Sequence, residues 1–356
     1  MGDKYLILEN GDVFKGKAFG YDGDAVGELV FSTGMTGYLE ALADPAYYGQ
    51  IVLQTFPLVG NYGVNQEDFG TGPIHLKAYI VRQWCQEPSN FRSEGNLDSF
   101  LRENKIPGIC GMDTRELTRV IRNNGTMNAM LLNTPELTEN QWEQLRNYKI
   151  TDAVKSVATA IANSKSKIKN SKFRVAVWDF GGAYRLTQGL NDSGCDVTVF
   201  AYDATAEEVI SGKPDGVALT GGPGDPSENT EIIKEIKKLC EKNIPIFAVG
   251  LGHQLLALAK GAKTQKLPFG HRGANQAVKE INSASAFVSV QNHGYVVASD
   301  SLPQNAVMSH INVNDNTCEG ISYMDIPALS VSFEPTDEIF EKFKAMMEGG
   351  LESASE

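Results

Sequence analysis

The stretch that decides which chemistry is open to this chain is residues 248–261, AVGLGHQLLALAKG. The apolar run IPIFAVG at 244–250 has the length and composition of a buried strand, and an apolar helical pattern opens directly after it. A strand that gives way to a helix so abruptly makes a sharp turn at the carboxyl end of its sheet. The residue on that turn is held up beside the free N–H groups of the helix, where a cysteine or serine would serve as a nucleophile for acyl transfer. Residue 250 is glycine. Glycine takes up unusual dihedrals without the roughly 1–2 kcal/mol that a side chain can cost there, but it has nothing with which to attack a carbonyl.

Other groups are poorly placed to replace it. The five cysteines (Cys85, Cys110, Cys195, Cys240, Cys318) are scattered without a CxxC pair. With no secretory leader, this usage suits a reduced compartment, and cytoplasm is the expected location. Cys240 falls at the end of the helix before the 244–250 strand and Cys195 at the start of another strand, so both are expected away from the strand ends where a ligand would sit. His253 is the nearest imidazole in sequence, and we read it as a hydrogen-bonded support for the turn.

The elements that must position this turn begin near residue 173. FRVAVWDF (173–180), CDVTVF (195–200), DGVALT (215–220) and 244–250 read as strands. They alternate with a helix over 184–193 and another starting at Pro226-Ser227, whose Ile232, Ile233, Ile236, Leu239 and Cys240 share a face. This repetition predicts a parallel sheet covered by helices, with ligands at the carboxyl ends of its strands. Phe340, Phe343 and Met347 give the last helix a stripe that faces a core.

The first half has a different pattern. YLILENGDVFKGKAFG alternates about Asn10-Gly11-Asp12 as a hairpin does. Asp113 and Glu116 mark a helix start and Gly125 its stop. Around 151–172 the periodicity fades and Lys165, Lys167, Lys169 and Lys172 crowd together, which predicts a solvated connector. At 356 residues the chain is long enough for two domains of roughly 150–200 residues. Its 32 basic and 44 acidic side chains give a net charge of −12, which makes nucleic acid a poor partner. No run of about 18 apolar residues is present to span a membrane.

Several stretches together resemble the small, glutamine amidotransferase subunits of carbamoyl-phosphate synthase: FSTGMTGYLEALADPAYYGQIV, EPSNFR and GMDTRELTRVIR in the first half, then GGPGDP, GLGHQLLALAKGAKT, FGHRGANQAV and QNHGY. The resemblance covers essentially the whole chain. It implies an α/β protein, with an N-terminal mixed β/α domain of swivelling type at 1–150 and a linker at 151–172. A class I glutamine amidotransferase-like parallel-sheet domain would follow at 173–356.

In that family a cysteine, a histidine and a glutamate hydrolyse glutamine. Carried over by position, these fall on Gly250, Glu334 and Thr336, so the resemblance implies a catalytic line without its side chains. It assigns the oxyanion and substrate cradle to Gly222, Gly224 and Leu251, and the amino-acid end of glutamine to Gln254, Asn292, Gly294 and Tyr295. Gly34 stands where the family has a serine, and Ala183 where it usually has a lysine. The implied partner is a large synthetase subunit that holds ATP and bicarbonate; this chain needs no cofactor or metal of its own, and glutamine is admitted as a ligand. Three readings follow: a glutaminase-silent structural or regulatory subunit, an active glutaminase with a non-standard site, or an independent module that binds a small amino acid.

Overall fold

The computed structural model describes residues 2–69, 72–157, 164–166, 168, 171–283 and 285–349. Lys167 and Lys169 lie outside them. The chain forms two units, Met1–Thr151 with Leu267–Asn275, and Asp152–Lys266 with Gln276–Glu356.

The strands of the first unit are Asp3–Leu8 (β1), Val13–Gly20 (β2), Ala25–Ser32 (β3), Gln50–Gln54 (β4), Leu58–Val59 (β5), Ala78–Ile80 (β6), Gln83–Trp84 (β7), Pro107–Cys110 (β8) and Met127–Leu132 (β9). Seven of them close a barrel in the order β1-β2-β8-β6-β4-β3-β9, and β5 pairs with β7 separately. The predicted hairpin is β1–β2, with Ile7 opposite Val13 and Gly11 at φ 94° in its turn. Alternation along the strands sorts their side chains between clusters. One contains Leu6, Leu29, Ile51, Ile80 and Leu131; a second contains Val30, Val52 and Tyr79; Ile7, Met130 and Leu132 belong to a third.

The helix Thr114–Asn124 adds Leu117 and Ile121 to the first cluster. Its ends are those the sequence marks. Asp113 Oδ1 accepts from the Glu116 N–H at 3.0 Å, and the Gly125 N–H donates to Ile121 O at 2.8 Å.

In the second unit the strands are Lys165–Ser166 (β10), Phe173–Trp178 (β11), Cys195–Phe200 (β12), Gly216–Leu219 (β13), Ile246–Val249 (β14), Thr264–Glu280 (β15), Ala286–Val297 (β16), Ala306–Asn312 (β17), Cys318–Tyr323 (β18) and Ala328–Val331 (β19). They build one sheet in the order β10-β12-β11-β13-β14-β19-β18-β17-β15-β16. The run β12-β11-β13-β14-β19 is parallel, as expected, whereas β18 and β17 pair antiparallel onto it. Within 151–172, the short helix Ala153–Val157 buries Ala153, Val154 and Val157, and β10 pairs with β12 at the sheet edge.

The parallel strands are buried on both faces. Val175 and Val177 pack with Leu186 and Leu190 of the helix Ala183–Asp192 and with Phe340 and Phe343 of the helix Asp337–Gly349. Ala176 and Trp178 face the other way. They join Val209 of the helix Ala206–Ser211, Ile236 of Thr230–Cys240 and Leu255 of Leu251–Ala259. One boundary differs from expectation, because Pro226–Glu228 is a separate 3₁₀ turn and the α-helix begins at Thr230. Asp225 caps the start of that turn, its side chain taking the Ser227 N–H at 2.8 Å, and Asn229 closes it, with Nδ2 donating back to Asp225 O at 3.1 Å.

Candidate functional site

The parallel strands β11, β13 and β14 end on glycine-rich turns. At the end of β11, Asp179 Oδ1 accepts from the N–H groups of Gly181 (2.7 Å) and Ala183 (3.2 Å), shaping the start of the helix Ala183–Asp192. At the end of β13, Thr220 Oγ1 accepts from the Phe180 N–H at 2.7 Å, and Gly221 O accepts from the Gly182 N–H at 3.0 Å. These bonds link the two turns. Glycine is required at 222, where a Cβ would lie 2.2 Å from the Phe180 carbonyl oxygen and 3.0 Å from Leu251 Cδ2. Gly222 and Leu251 are therefore neighbours, and Gly224 continues the turn at φ 88°.

β14 ends at Val249, and the helix Leu251–Ala259 starts two residues later. Between them Gly250 sits at φ 54°, ψ −114°, outside the regions that residues with side chains favour. This is the strained strand-to-helix corner predicted from the sequence. Its N–H donates to Val331 O at 2.9 Å, and its carbonyl accepts from the Gln254 N–H at 3.3 Å. The Gly252 N–H donates to Thr220 O at 2.9 Å. A Cβ on Gly250 would meet only the Gly221 Cα, at 3.3 Å. The space for a side chain is present and the side chain is not.

Beyond β19 the chain passes through Glu334 and Thr336. The Glu334 N–H donates to Val290 O at 2.9 Å, and its carboxylate pairs at 3.5 Å with the Arg185 guanidinium. Both side chains are partly exposed, so this ion pair is loose and solvent-screened. The exposed Thr336 opens the last helix, its carbonyl accepting from Ile339 (3.0 Å) and Phe340 (3.2 Å).

Gln254 is buried, and its Nε2 donates to Tyr295 O at 2.6 Å, which brings together two of the residues the resemblance assigns to the amino-acid end. Asn292 and Gly294 lie on the same strand as Tyr295 and are half-buried. Gly34 follows β3 in the first unit. A Cβ there would have ordinary room, 3.4 Å from Thr36 O and 3.7 Å from Ser32 Oγ. Ala183 is the buried first residue of its helix.

Cys195, Cys240 and His253 lie where the sequence leads us to expect them. Cys195 begins β12 and is buried, and Cys240 closes its helix; burial pushes each thiol up to about 11. Cys318 is pushed up to about 12 by the same cause. A thiol in that range is protonated at neutral pH and is a poor nucleophile. His253 is 1% exposed and hydrogen-bonded through Nδ1 to Ser330 Oγ at 2.9 Å. Burial, partly opposed by the Glu319 carboxylate, lowers it to about 3, which keeps the ring neutral. Its partner Ser330 and the Arg185 partner of Glu334 carry no signal in sequence, being 77 and 149 residues distant.

The family model for the carbamoyl-phosphate synthase small chain, CPSase domain, matches residues 6–131, and that for glutamine amidotransferase class-I matches 176–339. The carbamoyl phosphate synthase small chain of Clostridium perfringens (strain 13 / Type A) is 46% identical over 346 residues, covering 95% of this chain and 97% of that one. The chain belongs to the carbamoyl phosphate synthase small chain family. Another member, from Lactococcus lactis subsp. cremoris (strain MG1363), is 43% identical over 94% of this chain and 93% of its own length. A third, from Bacillus caldolyticus, is 41% identical over 97% and 96%. The fold is that of the family, with a small-chain domain followed by an amidotransferase domain on a mixed sheet whose central run is parallel. Among the described residues no helix is long and apolar enough to cross a membrane.

Proposed function

We propose that this small chain is a glutaminase-silent subunit that supports a carbamoyl-phosphate synthase fed by free ammonia. The observation that carries the reading is Gly250: the corner where an attacking sulfur would stand keeps its geometry and has no side chain. Glu334 is a weaker base than an imidazole and is engaged with Arg185, while Thr336 has no imidazole to orient. Gly222, Gly224, Leu251, Gln254, Asn292, Gly294 and Tyr295 would then line a cradle able to hold an amino acid without cleaving its amide. ATP and bicarbonate would be held by the large subunit.

A subunit without bond-making chemistry can still act on its partner. Contacts that favour one state of the large subunit shift its equilibrium, and the effect is limited by that difference in contact energy. The test is glutamate release from glutamine by the purified chain, alone and with the cognate large subunit, alongside ammonia-dependent carbamoyl phosphate synthesis. Release at the level of a buffer control, with ammonia-dependent synthesis improved by the chain, is the expected result. Thiol-dependent turnover would overturn it in favour of an active glutaminase. Failure to associate with the large subunit would favour an independent amino-acid-binding module.

A further inference from the structure

Phe91 is 95% exposed, whereas Met35, the next most exposed large apolar residue among the described residues of the first unit, reaches 68%. The loop that carries it is nonetheless firmly held. Asn90 Oδ1 accepts from the Arg92 N–H at 2.9 Å, and Asn90 O accepts from the Ser93 N–H at 3.0 Å. Arg92 Nη2 reaches Asp68 Oδ1 at 2.7 Å and Glu67 Oε2 at 3.0 Å. Asp68 is itself fixed by Asn65 Nδ2 at 2.7 Å. Past the apex, Val64 and Gly95 form a β-bridge, with the Val64 N–H on Gly95 O at 2.9 Å and the Glu94 N–H on Val64 O at 2.8 Å.

None of these bonds uses the ring, so the loop keeps its shape without burying Phe91. An aromatic side chain presented on a rigid loop is the arrangement that loses least entropy on docking, and such residues dominate binding energy at interfaces. The surroundings indicate what it would meet. Glu67, Asp68, Glu87 and Glu94 stand on the loop and its brace against the single Arg92, whose charge Asp68 and Glu67 already neutralise. A complementary surface is an apolar pocket with a basic rim.

We propose that Phe91 is a pre-organised anchor through which the first unit docks on the large synthetase subunit, entering an apolar pocket rimmed by lysine or arginine. This rests on the subunit role proposed above. The experiment is binding of the full chain to the purified, immobilised cognate large subunit, followed in real time at several salt concentrations. Phe91→Ala should weaken binding about 30-fold, mostly through faster dissociation, with an unchanged melting temperature. Phe91→Trp should stay within a few fold of the parent. Arg92→Ala, which frees the loop but leaves the ring, should give an intermediate loss. Glu87→Lys should slow association and flatten its salt dependence.

Phe91→Ala binding within twofold of the parent, while the parent binds tightly, overturns the anchor and leaves the subunit role intact. A parent chain that does not bind the large subunit at all overturns the subunit role, and the anchor with it.

Discussion

The amide of Gly250 donates to the carbonyl of Val331 at 2.9 Å, which ties the strand-to-helix corner to the strand that leads on to Glu334 and Thr336. With the Gly252 N–H on Thr220 O at 2.9 Å, backbone bonds from both neighbouring strands define the corner. Its shape is therefore set by backbone hydrogen bonds and not by a side chain at residue 250.

Gly250→Cys should fold. The new Cβ meets only the Gly221 Cα at 3.3 Å, and the left-handed φ of 54° costs about 1–2 kcal/mol, read as a shift in the urea midpoint. It should release no glutamate, since residue 334 offers no imidazole. The triple change Gly250→Cys, Glu334→His and Thr336→Glu should exceed the single variant in a coupled glutamate assay. Release by the single variant as fast as by the triple would mean that a different group activates the thiol, and no release by either would mean a further defect in geometry or binding.

Gly252→Ala should be more damaging to folding, although it adds only a methyl. Its Cβ would fall 2.6 Å from the Leu219 carbonyl oxygen and 2.7 Å from Leu219 Cβ, where backbone cannot give way cheaply. A loss of about 2–3 kcal/mol is expected in urea unfolding. Gly221→Ala, with nothing within 4 Å of the new Cβ, should lie close to the parent.

The buried His253 makes stability depend on pH. Burial lowers its folded-state value to about 3, below the ordinary value near 6.5, so the unfolded chain takes up a proton that the folded chain refuses. The stabilisation is complete above about pH 6.5 and is lost as pH falls from there toward 3, on the order of 1–2 kcal/mol by pH 5. His253→Gln should reduce the difference in urea stability between pH 7 and pH 5. An unchanged difference would assign the pH dependence to other groups.

Asp113→Ala should cost about 1 kcal/mol, because it removes the acceptor for the Glu116 N–H at 3.0 Å and leaves the first turn of that helix uncapped. Asp113→Asn should recover most of the loss.

Much of the positioning frame was legible in sequence because its signals are local. The Asp113 cap and the Gly125 stop lie within one helix, the β1–β2 hairpin within eighteen residues of chain, and the 244–250 strand declares itself by being apolar throughout. The antiparallel side of the second unit's sheet was less legible. β15 is interrupted by Pro268, Gly270 and Gly273, and its residues Leu267–Asn275 belong to the first unit, so no single apolar period runs through it. The 3₁₀ turn at Pro226–Glu228 was hidden because a helix-starting proline looks the same whether the turn continues or stops. The pairs His253–Ser330 and Arg185–Glu334 form only when distant strands and helices are assembled.

The glycine at residue 250 has a consequence for how such chains are recognised. Its corner is drawn by hydrogen bonds from adjoining strands and filled by the amino acid that strains least there. A main-chain trace would consequently not disclose which side chain residue 250 carries, since the hydrogen bonds that draw the corner are made by backbone atoms alone.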